Sequence, residues 1–213
     1  MSRATLSHVN TWVFDLDNTL YPPDSKLFEQ ISKRMNAWVA AYMQMSPEAA
    51  DLLRRSYRSR FGTTLAGLMQ EHGVDPVVFL SNIHAIDLSV LAPDPALAAA
   101  IRGLPGRKII HTNADATYAG RVLAARGLTG LFDAIYGIEA TGFRPKPLRE
   151  AYAAVIAADG FDPARAVMFD DEARNLAVPH ALGMATVQVA PVRDSAPHVL
   201  HWTKELGAFL SAE

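Results

Sequence analysis

Thr11-Trp-Val-Phe-Asp-Leu-Asp-Asn-Thr-Leu-Tyr-Pro22 is the stretch that decides how this chain of 213 residues is read. Its first four residues, Thr11 to Phe14, are β-branched or aromatic and predict a buried strand. The strand runs into Asp15, and Asp17 and Thr19 follow at two-residue spacing. Two carboxylates just past a hydrophobic strand repel each other and resist desolvation unless a cation or charged ligand joins them. They also suit divided labour, one attacking or binding metal while the other handles protons. A simple Asx-type turn would use the same residue types. What the rest of the chain places beside the stretch therefore decides between the two.

Immediately downstream, Pro22-Pro23 blocks the strand, and Asp24 or Ser25 can cap a helix. Leu27, Ile31, Met35, Trp38, Val39 and Tyr42 recur at mostly three- and four-residue spacing, which predicts an amphipathic helix over 26–45. Ser46-Pro47 starts a second helix, Thr63-Thr64 caps a third over 65–71, and Asp75-Pro76 opens a fourth. No strand is expected between Pro22 and Leu91, so this block reads as a helical insertion. From Ala92-Pro-Asp-Pro95 onward short apolar runs alternate with helical patterns. Strands are expected at 108–111, 134–136, 166–169 and 185–189, and a last helix over 201–210. Such alternation argues for a parallel sheet covered on both faces.

The composition sets broad bounds. Half the residues are hydrophobic and 20% are charged, as in a globular protein with a sizeable core. A net charge of −2 offers no electrostatic case for a nucleic-acid polymer or a membrane surface as partner. Without cysteine there is no disulfide framework, thiolate metal site or cysteine nucleophile. The first ten residues lack the apolar core of a signal peptide, and no segment has the apolar length of a membrane span. The expected location is the cytoplasm; oligomeric state is left open.

In open α/β sheets, ligands bind beyond the carboxyl ends of the strands. Four strand ends or the loops after them carry the right chemistry: Asp15 and Asp17, then Thr112-Asn113, then Lys146 within Gly142-Phe-Arg-Pro-Lys-Pro147, and Asp170-Asp171. A hydroxyl and a backbone amide at a helix start form a phosphate seat. Clustered carboxylates suit Mg²⁺, a hard cation that pairs with phosphate. A lysine there balances an anionic nucleophile and phosphoryl oxygens. Taken singly, each piece has a plain reading: a solvated lysine, a cap, an acidic helix start. Their joint occurrence in this order does not.

These residues resemble the four motifs of the haloacid dehalogenase-like superfamily of aspartate-nucleophile phosphohydrolases: Asp15-Leu-Asp17-Asn-Thr19, Thr112, Lys146, and Asp170-Asp171 with Asn175 beyond. The resemblance spans Val13 to Val189. It implies an α/β fold, a Rossmann-like three-layer core with a central parallel sheet and an inserted all-helical cap. The core would comprise residues 1–21 and 93–213, and the cap 22–92. The pieces Tyr57 through Gly62-Thr-Thr-Leu-Ala-Gly67, His72-Gly-Val-Asp75-Pro76, and His84 with Ile86-Asp87-Leu88 further resemble the pyrimidine 5′-nucleotidase branch.

Carried over by residue, the resemblance makes Asp15 the nucleophile of an aspartyl phosphate and Asp17 the acid and base. Thr112 and the Asn113 amide would hold phosphoryl oxygens, and Lys146 would neutralise charge. Mg²⁺ would be held by Asp15, the Asp17 carbonyl and one or both of Asp170 and Asp171, with Thr19 and Asn175 supporting. The implied activity is hydrolysis of pyrimidine nucleoside 5′-monophosphates. The alternatives are another small phosphate ester, such as phosphoglycolate or a sugar phosphate, a phosphomutase, or a non-catalytic binding protein on this fold. Asn18, Tyr21 and His84 are the candidates for the substrate pocket. His111 and Trp12 read as core residues, and Arg54, Arg55, Arg58 and Arg60 as the solvated face of a cap helix.

Overall fold

The chain was analysed as a computed structural model that describes residues 6–212. Its sheet has six parallel strands: β1 (Thr11–Phe14), β2 (Arg107–His111), β3 (Ala134–Tyr136), β4 (Ala166–Asp170), β5 (Ala185–Val189) and β6 (His201–Thr203). Their order is β3-β2-β1-β4-β5-β6. The chain lays β2 and β3 to one side of β1 and then returns to build β4, β5 and β6 on the other. The strand order therefore reverses at β1 and β4, the place where a ligand crevice opens in such sheets.

β1 is buried at all four positions because both faces of a parallel sheet are covered. Trp12 and Phe14 enter a core that continues into the cap, while Val13 joins Ile109, Met168 and Leu176 on the opposite face. The Phe14 and Phe169 rings stack at 4.7 Å, locking β1 to β4 side by side. Their pairing, Phe14 with Phe169, brings the next residues, Asp15 and Asp170, out at the same sheet edge. The Asp15 N–H still donates to the Phe169 carbonyl at 2.9 Å.

Four of the helices between β1 and β2 come before Leu91: α1 (Leu27–Tyr42), α2 (Pro47–Phe61), α3 (Thr64–His72) and α4 (Pro76–Ile83). They form the inserted all-helical cap. Ser46, Thr63 and Asp75 cap the last three with side-chain oxygens. The expected cap at Asp24 or Ser25 differs: residues 23–25 make one 3₁₀ turn, and α1 begins after Lys26 in a left-handed conformation. Gly67 is required, since a Cβ there would stand 2.4 Å from the Tyr57 ring that packs across it. The Tyr57 hydroxyl in turn lies 2.6 Å from His72 Nε2.

The remaining helices are α5 (Pro95–Arg102), α6 (Ala116–Ala125), α7 (Arg149–Asp159), α8 (Ala173–Ala181) and α9 (Leu206–Ser211). The single helix expected over 201–210 is corrected. His201-Trp-Thr203 instead forms β6 beside β5, with Trp202 Nε1 donating to the Ala190 carbonyl at 2.8 Å, and the helix starts only at Leu206. An edge position beside β5 supplies pairing that local sequence does not reveal.

Candidate active site

A cavity of about 420 Å³ opens over the carboxyl edge of β1 and β4 and is roofed by α1 to α4. Asp15, Asp17, Asn18, His84, Thr112, Asn113, Lys146, Asp171 and Asn175 all line it. The structure thus gathers most of the sequence candidates in one place. The exceptions are Tyr21, Thr19 and Asp170.

Lys146 is 0% exposed, and its Nζ lies 2.7 Å from both Asp15 Oδ1 and Asp170 Oδ2. A buried ammonium is tolerable only when paired and hydrogen-bonded. Burial pulls the lysine pKa down, but the two carboxylates outweigh it and keep the ammonium charged. The loop is placed by Asn113, whose Oδ1 accepts from the Lys146 N–H at 2.8 Å while its Nδ2 donates to the Lys146 carbonyl at 3.2 Å. This side-chain clasp went unseen in the sequence, where only the Asn113 backbone amide drew attention. Thr112 is buried beside it, with its hydroxyl accepting from the Ala114 N–H at 3.0 Å.

Asp17 lies in a different environment. Its Oδ1 accepts from the Tyr21 hydroxyl at 2.7 Å and the Tyr118 hydroxyl at 3.1 Å. Burial lifts its pKa above the ordinary aspartate range, more than the Tyr21 bond, His84 and the Tyr118 bond lower it. Tyr21 does not line the cavity as expected; it is buried behind Asp17 and acts on that carboxylate. Tyr118 is 101 residues from Asp17 in sequence, and no local pattern pointed to it. His84 stacks on the Tyr118 ring at 4.2 Å, and its Nδ1 lies 2.5 Å from Asp115 Oδ2. Asp115 also caps α6 through its other oxygen.

The acids at the ends of β1 and β4 fit a divalent cation. Asp15, Asp170 and Asp171 each bring a carboxylate oxygen within 4.8 Å of the others. Burial pushes the Asp15 carboxyl well up; Lys146 opposes this, and Asp170, Asp171 and Asp17 add to it. Burial and then Asp170 push Asp171 up to about 7. Crowded acids that resist ionisation together are relieved by a shared cation, and an all-oxygen set suits a hard one. The paired acids are not equivalent. Asp170 is fully buried and committed: Oδ1 accepts from the Glu172 N–H at 3.0 Å and from Asn175 Nδ2 at 2.9 Å, and Oδ2 accepts from Lys146. Asp171 lines the cavity and takes one bond, from Asn18 Nδ2 at 3.2 Å. Thr19 is buried beside the loop, away from the cavity wall. The Asp17 carboxylate lies outside the three-acid group.

Helix α2 also departs from the solvated face expected of it. Arg55, Arg58 and Arg60 are exposed as expected, but Arg54 is largely buried, and both Arg54 and Arg58 line the cavity. Arg58 pairs with Glu172, which Arg174 also engages at 2.5 Å, so a charged seam joins α2 to the loop after β4. The two arginines outweigh burial and hold the Glu172 carboxyl below its ordinary range.

Comparison with known proteins agrees with this fold. A phosphate metabolism protein of Saccharomyces cerevisiae, "Phosphate metabolism protein 8", is 25% identical over 132 residues, covering 57% of this chain. The chain spans only 41% of that relative's length. Among solved structures, CbbY from Rhodobacter sphaeroides, in complex with xylulose-(1,5)bisphosphate, matches with a TM-score of 0.64 at 15% identity, over 92% of this chain and 94% of its own. A haloacid dehalogenase (HAD) phosphatase from Thermococcus onnurineus matches with a TM-score of 0.59 at 19% identity, over 96% and 99%. At these identities the structures establish the fold alone. The family model for haloacid dehalogenase-like hydrolases matches residues 9–183, and the chain belongs to that family.

Proposed function

We propose that this hydrolase is a Mg²⁺-dependent phosphomonoesterase working through an aspartyl phosphate on Asp15, with pyrimidine nucleoside 5′-monophosphates as its substrates. One observation carries the chemical part: two carboxyl groups two residues apart face one cavity with different partners. Burial pushes both up, but Asp15 Oδ1 is paired to the buried Lys146 ammonium, which opposes that push, whereas Asp17 has no ammonium in contact among the described residues and burial outweighs its two phenol hydrogen bonds. Pairs of acids in contrasting environments divide into nucleophile and proton carrier.

Lys146 holds Asp15 Oδ1, leaving Oδ2 to attack phosphorus. The bond from phosphorus to the ester oxygen breaks, and Asp17 gives its proton to the departing alkoxide. Asp17, now a base, takes a proton from water as that water attacks the phosphorus of the aspartyl phosphate. Phosphate leaves and Asp15 is regenerated. Thr112, the Asn113 amide and Lys146 hold the phosphoryl oxygens through both steps. Asp15, the Asp17 carbonyl and Asp171 would hold Mg²⁺, which when bound supplies positive charge to the phosphoryl group. Asp170 serves by fixing Lys146, itself oriented by Asn175. Residues 22–92 would act as the cap over the core of 1–21 and 93–213, excluding water during transfer. The cytoplasm is the proposed location.

The nucleotide assignment rests on the cap stretches around Tyr57, His72 and His84. The test is phosphate release from UMP, CMP, phosphoglycolate and sugar phosphates with Mg²⁺. UMP or CMP turnover that disappears in Asp15→Asn supports the whole reading. A preference for another ester, equally lost in that variant, keeps the chemistry and rejects the nucleotide assignment.

A further inference from the structure

Arg54 is a largely buried cation whose ion pair is long and shared. Its side chain is only 13% exposed, between α1 and α2. Its hydrogen bonds go to neutral acceptors, Asn36 Oδ1 at 3.3 Å and Ser32 Oγ at 3.1 Å. The one nearby carboxylate, Asp51, stands 3.9 Å away and lies much closer, at 2.7 Å, to Arg55, which is exposed. Arg54 Nε is buried without a partner among the described residues. Burying a charge in this state is costly unless something pairs with it. A mere tie between two helices would not require a cation, since a neutral amide could make the same bonds to Asn36 and Ser32.

Arg54 and Ser32 line the same cavity as Asp15 but belong to the cap rather than to the sheet edge. The same cavity wall also carries the apolar side chains of Phe28, Ile31, Met35, Phe79 and Leu80. A polar group set among apolar side chains on the cap can orient the part of a ligand that lies away from the sheet edge. We infer that Arg54, with Ser32 beside it, binds an electron-rich oxygen group at the end of the substrate remote from the transferred phosphate. The substrates are then phosphomonoesters bearing a second such group: the 2-carbonyl of a pyrimidine, or a carboxylate or second phosphate. A planar guanidinium suits all three: its paired N–H groups meet two oxygens of a carboxylate or phosphate, and one of them meets a pyrimidine carbonyl. This inference rests on the phosphomonoesterase reading and narrows it.

The experiment compares matched substrates, with and without the remote group: CMP and UMP against 1-deoxyribose 5-phosphate, phosphoglycolate against ethyl phosphate, and propane-1,3-diol bisphosphate against propyl phosphate. Each is assayed with Mg²⁺ on the native protein and on Arg54→Gln, which keeps a hydrogen-bond donor and removes the charge. The expected result is a KM raised about tenfold or more for the member carrying the group, the size of a lost charged hydrogen bond. The stripped member should be turned over unchanged, with kcat altered less than about twofold for both. Whichever pair responds identifies the source of the acceptor. Equal losses within every pair, or no loss in any, would overturn the inference. Calorimetric binding of the same pairs to the Asp15→Asn protein reads the Arg54 contribution without turnover. If the native protein releases no phosphate from any ester, the phosphomonoesterase reading fails. Arg54 is then judged by binding alone, and equal affinity for both members of each pair overturns it.

Discussion

Asp17 shows what single residues contribute here. A general acid must keep its proton until the leaving group needs it. Burial provides that, and the Tyr21 and Tyr118 hydroxyls occupy Oδ1, so the proton is directed to the other oxygen. Tyr118→Phe keeps the ring that stacks on His84 and removes only the hydroxyl. Its kcat on an alkyl phosphate, which needs protonation of the leaving oxygen, should fall by about tenfold, a fraction of what a general acid supplies. On an aryl phosphate with a stable leaving group the loss should be under about twofold; equal losses on both would remove Tyr118 from proton transfer. Asp15 and the Asp170-Asp171 pair were legible because they stand at the ends of hydrophobic strands, and Lys146 because it lies in the loop beyond one, where chemistry collects in this class of sheet. Tyr118 was not: it reads as one more apolar-face residue of a helix, and only the crossing of distant elements brings its hydroxyl to Asp17. Arg54 was misread for the same reason. A run of four arginines looks like a solvated face until the packing of α1 turns one of them inward.

At the scale of elements, the two connections between sheet and cap meet at Arg126. This buried residue, just past the end of α6, donates from Nε to the Leu20 carbonyl at 3.1 Å and from a terminal nitrogen to the Ala92 carbonyl at 2.5 Å. Its other terminal nitrogen pairs with Asp94 at 2.7 Å. One side chain thus satisfies backbone carbonyls on both the outgoing and the returning strand of chain. Arg126→Met removes those donors and leaves the carbonyls unmet. It should cost about 2–4 kcal/mol of stability, measured by urea unfolding. A loss under about 0.5 kcal/mol would mean the connections hold without it. The cap helices were legible from their spacing and from Ser46, Thr63 and Asp75, whose capping chemistry is local. β6 was not, because a three-residue edge strand is specified by its neighbour. The stretches that resemble the nucleotidase branch divide: Gly67, Tyr57, His72 and Asp75 serve as scaffold of the cap, whereas Gly62 to Leu65 and His84 line the cavity.

Across the whole molecule, the sheet converges carboxylates that resist ionising together, a cost that the proposed cation would relieve. Asp171, pushed up to about 7 from an ordinary 3.8, keeps its proton in the folded chain over a range where the unfolded chain has lost it. The folded state binds more protons there, so metal-free stability should fall as pH rises from about 4 to 7. Above that range the acid is ionised and ready for a cation. Thermal unfolding should therefore show Mg²⁺ raising Tm more at pH 8 than at pH 5. An equal effect at both values would place the cation away from these acids.

The most direct measurement is chemical trapping of the intermediate. Protein turning over UMP or another accepted ester with Mg²⁺ is quenched with hydroxylamine, and the peptide carrying Asp15 is sequenced by mass spectrometry. The account requires a hydroxamate at Asp15 that forms only with substrate and is absent from Asp15→Asn. Phosphate release that continues without modification of Asp15, or that survives in the Asp15→Asn protein, would contradict it.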